Sequence, residues 1–191
     1  MTGLYGNMSV GYRATKNNTT NYIITAGHAF LAKGTSIKAY INKVDVGYCA
    51  DYIMSHSDAA IVAITNFNYT ATNILNESPA YSLSTLVTAA TSGATIIKEG
   101  IATHYTAGVC QSSGTGQSIS DSNGNTWYIS DLFTVDGTSS NPMADKGDSG
   151  GIAYSIVRTT VGIATAASIS IGWAWFSKAS NINSAFSVSR Y

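Results

Sequence analysis

Apolar and polar residues alternate with a period of two over many short runs of this chain, and helical periodicity is nearly absent. Because successive side chains of a strand point to opposite faces, this alternation predicts β-structure. The clearest predicted strands are residues 37–41, 59–64, 127–135 and 161–164. Only residues 179–186, near the C-terminus, are expected to form a short helix.

Turn-forming residues separate these runs. Clusters of Ser, Gly, Asp and Asn stand at residues 112–114, 121–124 and 136–138, and each cluster is predicted as a turn. Many short strands divided by such turns favour a closed barrel or a sandwich.

Composition and charge narrow the function classes. The 191 residues are 45% apolar, enough to bury a sizeable core as one unit or two small subdomains. Charged residues make up only 10%, against roughly a quarter in a typical chain, and the formal net charge is zero. We therefore expect no nucleic acid and no membrane as partner. The mildly apolar stretch 161–176 is broken by Thr, Ser and Gly and is too short to span a bilayer.

Two segments carry residues suited to nucleophilic catalysis. Ser149 lies in the run Gly-Asp-Ser-Gly-Gly at 147–151, and His28 ends the run Thr-Ala-Gly-His. A serine hydroxyl is a weak nucleophile at neutral pH, so it needs an imidazole base and a carboxylate to orient that base. Asp58, just ahead of an apolar strand, can supply the carboxylate. The resulting order His, Asp, Ser differs from that of α/β-hydrolases and of subtilisins.

With these motifs the chain resembles the chymotrypsin-like serine peptidases, and within them the small secreted bacterial group of α-lytic protease and the streptogrisins. Residues 9–12 and 22–28 resemble that group's opening hairpin, 98–110 the start of its second barrel, and 162–167 the strand along its substrate cleft. The resemblance implies an all-β fold of two six-stranded antiparallel β-barrels with a short C-terminal helix. It implies one peptidase domain, 1–191, with a first barrel at about 1–80, a connection at 77–91 and a second barrel at 92–191.

The resemblance also implies the role of each motif residue. Ser149 is the expected nucleophile, His28 the general base and Asp58 the carboxylate that orients the base. The backbone N–H groups of Gly147 and Ser149 are expected to form the oxyanion hole, while Asp148 is expected to hold the loop through hydrogen bonds. Neither a metal ion nor an organic cofactor is implied.

The substrate pocket can be predicted only in part. Its walls are expected before the nucleophile and along the cleft strand, where alanines replace the glycines usual in the family. We expect cleavage after small or medium apolar residues, with acidic residues as the alternative because of the lysine at the lip. A threonine also takes the place of the family serine that hydrogen-bonds the catalytic aspartate. The predicted substrate-binding residues are Met143, Lys146, Thr165, Ala166, Ala167 and Gly172.

The cysteines depart from the family pattern. Where the bacterial relatives have disulfides, this chain has Met8 with Ala29, and Met143 with approximately Ile169. Cys49 and Cys110 are the only cysteines, and the sequence leaves open whether they pair or stay free.

Alternatives remain open at this point. His56 and His104 lack the motif context of His28 and are expected to be a loop residue and a strand or edge residue. The chain could also be an inactive protease-fold binding or surface protein, or an esterase that uses the same triad. As a peptidase it is expected to be secreted, monomeric, already processed from a precursor with an N-terminal pro-region, and to act on peptides or proteins.

Overall fold

A computed structural model describes residues 1–3, 6–17, 21–75, 80–120 and 124–191. This part of the chain is built mainly of antiparallel strands, with a single short α-helix, α1 (Ala179–Phe186), which confirms the predicted fold class. The strands are β1 (Arg13–Thr15), β2 (Tyr22–Thr25), β3 (Lys38–Ile41), β4 (Val44–Met54), β5 (Asp58–Ile64), β6 (Ile74–Leu75), β7 (Tyr81–Ser82), β8 (Thr95–Glu99), β9 (Thr106–Ser120), β10 (Thr126–Asp136), β11 (Ile152–Ser155), β12 (Thr160–Ser168), β13 (Trp173–Lys178) and β14 (Ser189–Arg190).

The first large sheet has six strands in the order β14-β1-β2-β5-β4-β3. Strand β5 is buried along almost its whole length because β2 and β4 flank it. Thr25, at the end of β2, pairs with Ala60 near the start of β5. A 3₁₀ turn at Gly27–Ala29 follows β2 directly. This register brings His28, in the turn, next to Asp58, the first residue of β5.

The second sheet is a closed six-stranded barrel in the order β10-β13-β12-β11-β8-β9. Its longest feature is the hairpin of β9 and β10. Residues 112–114, predicted as a turn, lie inside β9, where Ser112 pairs with Thr134 and Thr115 with Leu132. That prediction was wrong because pairing with β10 overrides the local preference of Ser and Gly for turns. Residues 121–123 of the next predicted turn lie outside the described residues.

A shared core joins the two sheets. It contains Ile24 and Ile61 from the first sheet, Ile152 and Ile163 from the barrel, and Phe186 from α1. The last strand, β14, pairs with β1 of the first sheet rather than with a barrel strand. The predicted barrel bounds and the connection at 77–91 stay predictions, and residues 77–79 lie outside the described ranges. Within those ranges no helix is long and apolar enough to cross a membrane.

Three of the four residues that the sequence resemblance matched to disulfide positions are buried. Met8 and Ala29 pack in one core cluster of the first sheet. Met143 is buried in the barrel core, whereas Ile169 is half exposed. Cys49 and Cys110 are both free and lie in different core clusters, so the alternative of two unpaired buried thiols is the correct one.

Candidate active site

His28 and Asp58 form a tightly coupled pair at the junction of β2 and β5. The ring Nδ1 of His28 lies 2.6 Å from Oδ2 of Asp58, and the backbone N–H of His28 donates to Oδ1 at 2.8 Å. Asp58 is fully buried, while the histidine side chain keeps 22% of its surface exposed. A carboxylate oxygen accepts hydrogen bonds, so this contact favours the tautomer that carries its proton on Nδ1 and leaves Nε2 as the ring atom able to accept a proton.

Two hydroxyl groups support this pair from the barrel. The backbone N–H of Asp58 donates to Ser177 Oγ at 2.8 Å, and Thr165 Oγ1 lies 2.8 Å from the same Ser177 oxygen. The hydroxyl of Thr165, which takes the place of the family serine, contacts Ser177, and Ser177 in turn binds the backbone of Asp58. The sequence did not single out Ser177, whose only signal is a polar residue after the apolar run 173–176; the structure shows it fully buried in β13.

The loop at 147–151 has the backbone shape that its glycines allow. Gly147 and Gly150 have φ values of 106° and 83°, which residues with a side chain rarely adopt. A Cβ at Gly150 would also lie 2.3 Å from Thr25 Oγ1. Ser9 ties the loop to the N-terminal segment, since its Oγ donates to the carbonyl of Gly147 at 2.9 Å and its N–H to the carbonyl of Ser149 at 2.8 Å.

Asp148 is buried, and its carboxylate holds the loop at 147–151 through hydrogen bonds to neighbouring segments. Both Asp148 and Lys98 are fully buried, and Lys98 Nζ donates to Oδ2 of Asp148 at 2.9 Å. The carboxylate also accepts hydrogen bonds from Thr103 Oγ1 and from the backbone N–H groups of Ala102, Thr103 and Asp145. These contacts agree with the structural role expected for Asp148.

Burial and hydrogen bonding shift the pKa values of both members of this buried pair. Burial opposes ionisation of Asp148, but hydrogen bonds from Lys98 and Thr103 outweigh it, so the pKa of the carboxyl lies below its ordinary value. Burial lowers the pKa of Lys98, which the hydrogen bond and charge of Asp148 only partly offset. The structure therefore places an ion pair directly beneath the predicted nucleophile.

His28 and Ser149 line one long surface groove of about 1200 Å³ between the two sheets. Strand β11 pairs with β12 as far as Ile163, and the N–H of Ala164 donates to the carbonyl of Gly151. Beyond this point, residues 165–168 of β12 line the groove. Four of the predicted substrate-binding residues line the groove: Lys146, Thr165, Ala166 and Ala167.

Met143 and Gly172 are not among the described residues that line the groove, and their predicted role in substrate binding stays a prediction. The Met143 side chain is fully buried in the barrel core, and its N–H donates to the carbonyl of Gly172 at 3.0 Å. Gly172 has a φ of 78°, and a Cβ there would meet the backbone of Thr138 at 2.4 Å. These two residues hold a turn behind the groove. The lining residues that the sequence did not predict include Ile119, Trp127 and Trp175, and Ala144 within the predicted wall 143–146 also lines the groove.

The other histidines stand outside the groove lining of the described chain. His56 Nδ1 lies 3.2 Å from Ser55 Oγ in the loop before Asp58, as expected for a loop residue. His104 is exposed in a turn before β9 with a φ of 52°, and its carbonyl accepts a hydrogen bond from Lys98. Within the described ranges, no three His, Cys, Asp or Glu side chains come together to hold a metal ion.

Comparison with protein-family models found no match, and neither did comparison with curated proteins. Solved structures do match. Nocardiopsis protease is 21% identical, with 97% of each chain covered and a TM-score of 0.75. Thermobifida fusca protease A is 21% identical over 99% of this chain and 93% of its own, with a TM-score of 0.75. A glutamic-acid-specific serine protease that uses a histidine triad in substrate binding is 22% identical over 96% and 93%, with a TM-score of 0.74. The chain therefore has the chymotrypsin-like serine protease fold.

Proposed function

We propose that this protein is a serine endopeptidase that hydrolyses peptide bonds through an acyl-enzyme. The observation that carries the proposal is the 2.6 Å contact of His28 with the buried Asp58 in a groove that Ser149 also lines. Ser149 attacks the peptide carbonyl, and His28 takes its proton and later gives it to the leaving amine. Asp58 holds the imidazole in the required tautomer and stabilises the imidazolium that forms.

The oxyanion formed in this attack needs donors that are already in place. We assign this role to the backbone N–H groups of Gly147 and Ser149. The positive φ of Gly147 and the contacts of Ser9 and Asp148 with the loop support the assignment, because they fix the loop from both sides. Such preorganised donors stabilise the tetrahedral intermediate without rearrangement during the reaction.

The substrate binds as an extended strand along residues 165–168 of β12, adding backbone hydrogen bonds to that strand. The side chain before the cleaved bond enters the part of the groove near Ala144, Ala166 and Ala167. Their methyl groups leave room for small or medium apolar side chains, which are the proposed preference. Lys146 lies at the edge of this region and favours acidic side chains as the alternative.

A fluorophosphonate probe tests the assembled site directly, because it reacts with a serine activated by its base and oxyanion hole. We expect one label per molecule, located on Ser149 by mass spectrometry, and no label on Ser149→Ala or His28→Ala. The matched control Ser113→Ala, an exposed serine of β9, should label like the native protein. Absence of label on folded native protein would favour the inactive, binding alternative.

Two further measurements separate the remaining alternatives. Digestion of a peptide library with mass-spectrometric readout should show cleavage mainly after small or medium apolar residues, and dominant cleavage after Arg or Lys would contradict that preference. Turnover of matched ester and amide substrates distinguishes the peptidase from an esterase, which would cleave only the ester.

We also propose that the protein acts outside the cell as a monomer, after removal of an N-terminal pro-region. The sequence motifs shared with a secreted bacterial group and the low charge support this setting. Light scattering of the purified protein should give a mass near 20.0 kDa. Detection of the mature chain in culture medium of its source would test export, and its retention inside cells would contradict it.

A further inference from the structure

In the proposed peptidase reaction, the part of the substrate downstream of the cleaved bond occupies one side of the groove. His28 returns its proton to the leaving amine, so the downstream part of the substrate passes the wall on the His28 side. This wall includes Met8, Ala29 and the tip of the β3–β4 hairpin with Asn42 and Lys43. Met8 and Ala29 share a core cluster with residues of β3 and β4, which anchors the hairpin to this wall.

The hairpin presents Lys43 on a short turn. Ile41 pairs with Val44, so only Asn42 and Lys43 form the loop. Their φ values of 50° and 67° belong to the two-residue turns that match the twist of antiparallel strands. A two-residue turn between paired strands leaves the backbone little freedom. The position of the lysine stem relative to the groove is therefore set by the sheet.

Lys43 differs in its electrostatic surroundings from four lysines of the chain that form ion pairs. Within the described residues no ion pair involves Lys43, although it lines the groove. Asp145 is the acidic residue that lines the groove within these ranges, and it lies on the barrel side, where its carboxylate accepts the N–H of Lys146. These four lysines are Lys33, which pairs with Asp51, Lys38 with Asp45, Lys98 with Asp148, and Lys178 with Asp131.

We propose that Lys43 is a specificity-determining residue that selects substrates with Asp or Glu in the segment downstream of the cleaved bond. This inference rests on the proposed peptidase function and adds a substrate class to it. The ammonium group pairs with the substrate carboxylate at the exposed end of the groove. An exposed ion pair predicts a preference of about two- to fivefold in kcat/KM for the acidic peptide over its neutral counterpart. The preference should weaken as salt screens the pair.

The test uses internally quenched peptides that share one upstream half. Glu, Gln or Lys is placed in turn at each of the first four downstream positions, and kcat/KM is measured for the native protein, Lys43→Gln and Lys43→Glu. The control Lys38→Gln removes a lysine from the same hairpin that is paired with Asp45 and does not belong to the groove lining. Thermal melts establish that each variant is folded.

We expect one downstream position with a clear Glu preference in the native protein and in Lys38→Gln. The preference should vanish in Lys43→Gln and invert toward Lys in Lys43→Glu. An unchanged Glu-to-Lys ratio in Lys43→Glu would overturn the inference. If Lys43→Glu fails to fold, Lys43→Gln and the salt dependence of the native protein decide. Fluorophosphonate label on Ser149 separates the two proposals: label with charge-blind cleavage refutes only the role of Lys43, whereas no label refutes the peptidase as well.

Discussion

Replacement of Lys98 by Met tests whether the buried ion pair beneath Ser149 holds the nucleophile loop. Methionine keeps a long unbranched side chain but removes the ammonium group. Asp148 would then remain buried without its cation, although Thr103 Oγ1 and three backbone N–H groups would still donate to it. The substitution therefore isolates the charge contribution of Lys98 from the rest of the network.

Loss of one partner of a fully buried pair typically costs about 3–5 kcal/mol, because the other charge is left uncompensated. The four remaining hydrogen bonds to Asp148 should keep the cost at the lower end, about 3 kcal/mol, or more than about a hundredfold in the folding equilibrium. The partly exposed pair of Lys178 with Asp131 offers a control, and because water still reaches both groups Lys178→Met should cost less than Lys98→Met, about 1 kcal/mol.

Lys98→Met should also make the protein more sensitive to acid. The pKa of Asp148 lies below its ordinary value of 3.8, so the unfolded chain binds more protons near that pH and stability falls as the pH drops through it. The ionised Asp148 contributes its full stabilisation above about pH 5. This stabilisation is lost as the pH falls toward the lower pKa that Asp148 has in the folded protein. Without the Lys98 charge and hydrogen bond the pKa of Asp148 rises, so Lys98→Met should begin to unfold at a higher pH than the native protein.

Urea unfolding at neutral pH, followed by tryptophan fluorescence, measures the free energy, and the rate of fluorophosphonate labelling reports the loop. We expect Lys98→Met to label at least about tenfold more slowly, because a loop displaced by about 1 Å loses aligned oxyanion donors. The reasoning would be refuted if Lys98→Met had a free energy of unfolding within about 0.5 kcal/mol of the native value and labelled at the native rate. The remaining hydrogen bonds to Asp148 would then be sufficient to hold the loop.

Other substitutions and probes test separate parts of the fold. Gly150→Ala places a Cβ 2.3 Å from Thr25 Oγ1 at a φ of 83°, so we expect a loss of about 3 kcal/mol or more, and a native-like melting temperature would contradict the close packing. Burial raises the pKa of the Cys49 thiol to about 12, so Ellman's reagent at pH 8 should react with it only after denaturation; rapid reaction of the native protein would show an accessible thiol. Ser177→Ala leaves the buried N–H of Asp58 without its acceptor, which should cost about 1–3 kcal/mol in urea unfolding; no loss would mean that the N–H finds another acceptor.

Local sequence patterns predicted several strands, the helix and the two residues of the His28–Asp58 pair. The alternation at 59–64 and 127–135 marked β5 and β10 to within one residue at each end, and residues 179–186 matched α1. His28 and Asp58 were found because their motifs lie at the end of one strand and the start of another. The register of β2 against β5 then brings the two side chains together.

The missed contributions all depend on contacts between distant segments. Ser9 binds the nucleophile loop from 138 residues away, and Ser177 meets Asp58 across 119 residues. Met143 was placed in the pocket because it precedes Ser149, but the turn held by Gly172 directs its side chain into the barrel core. A motif therefore identifies the reacting groups, whereas the packing of the two sheets against each other decides which neighbours orient them.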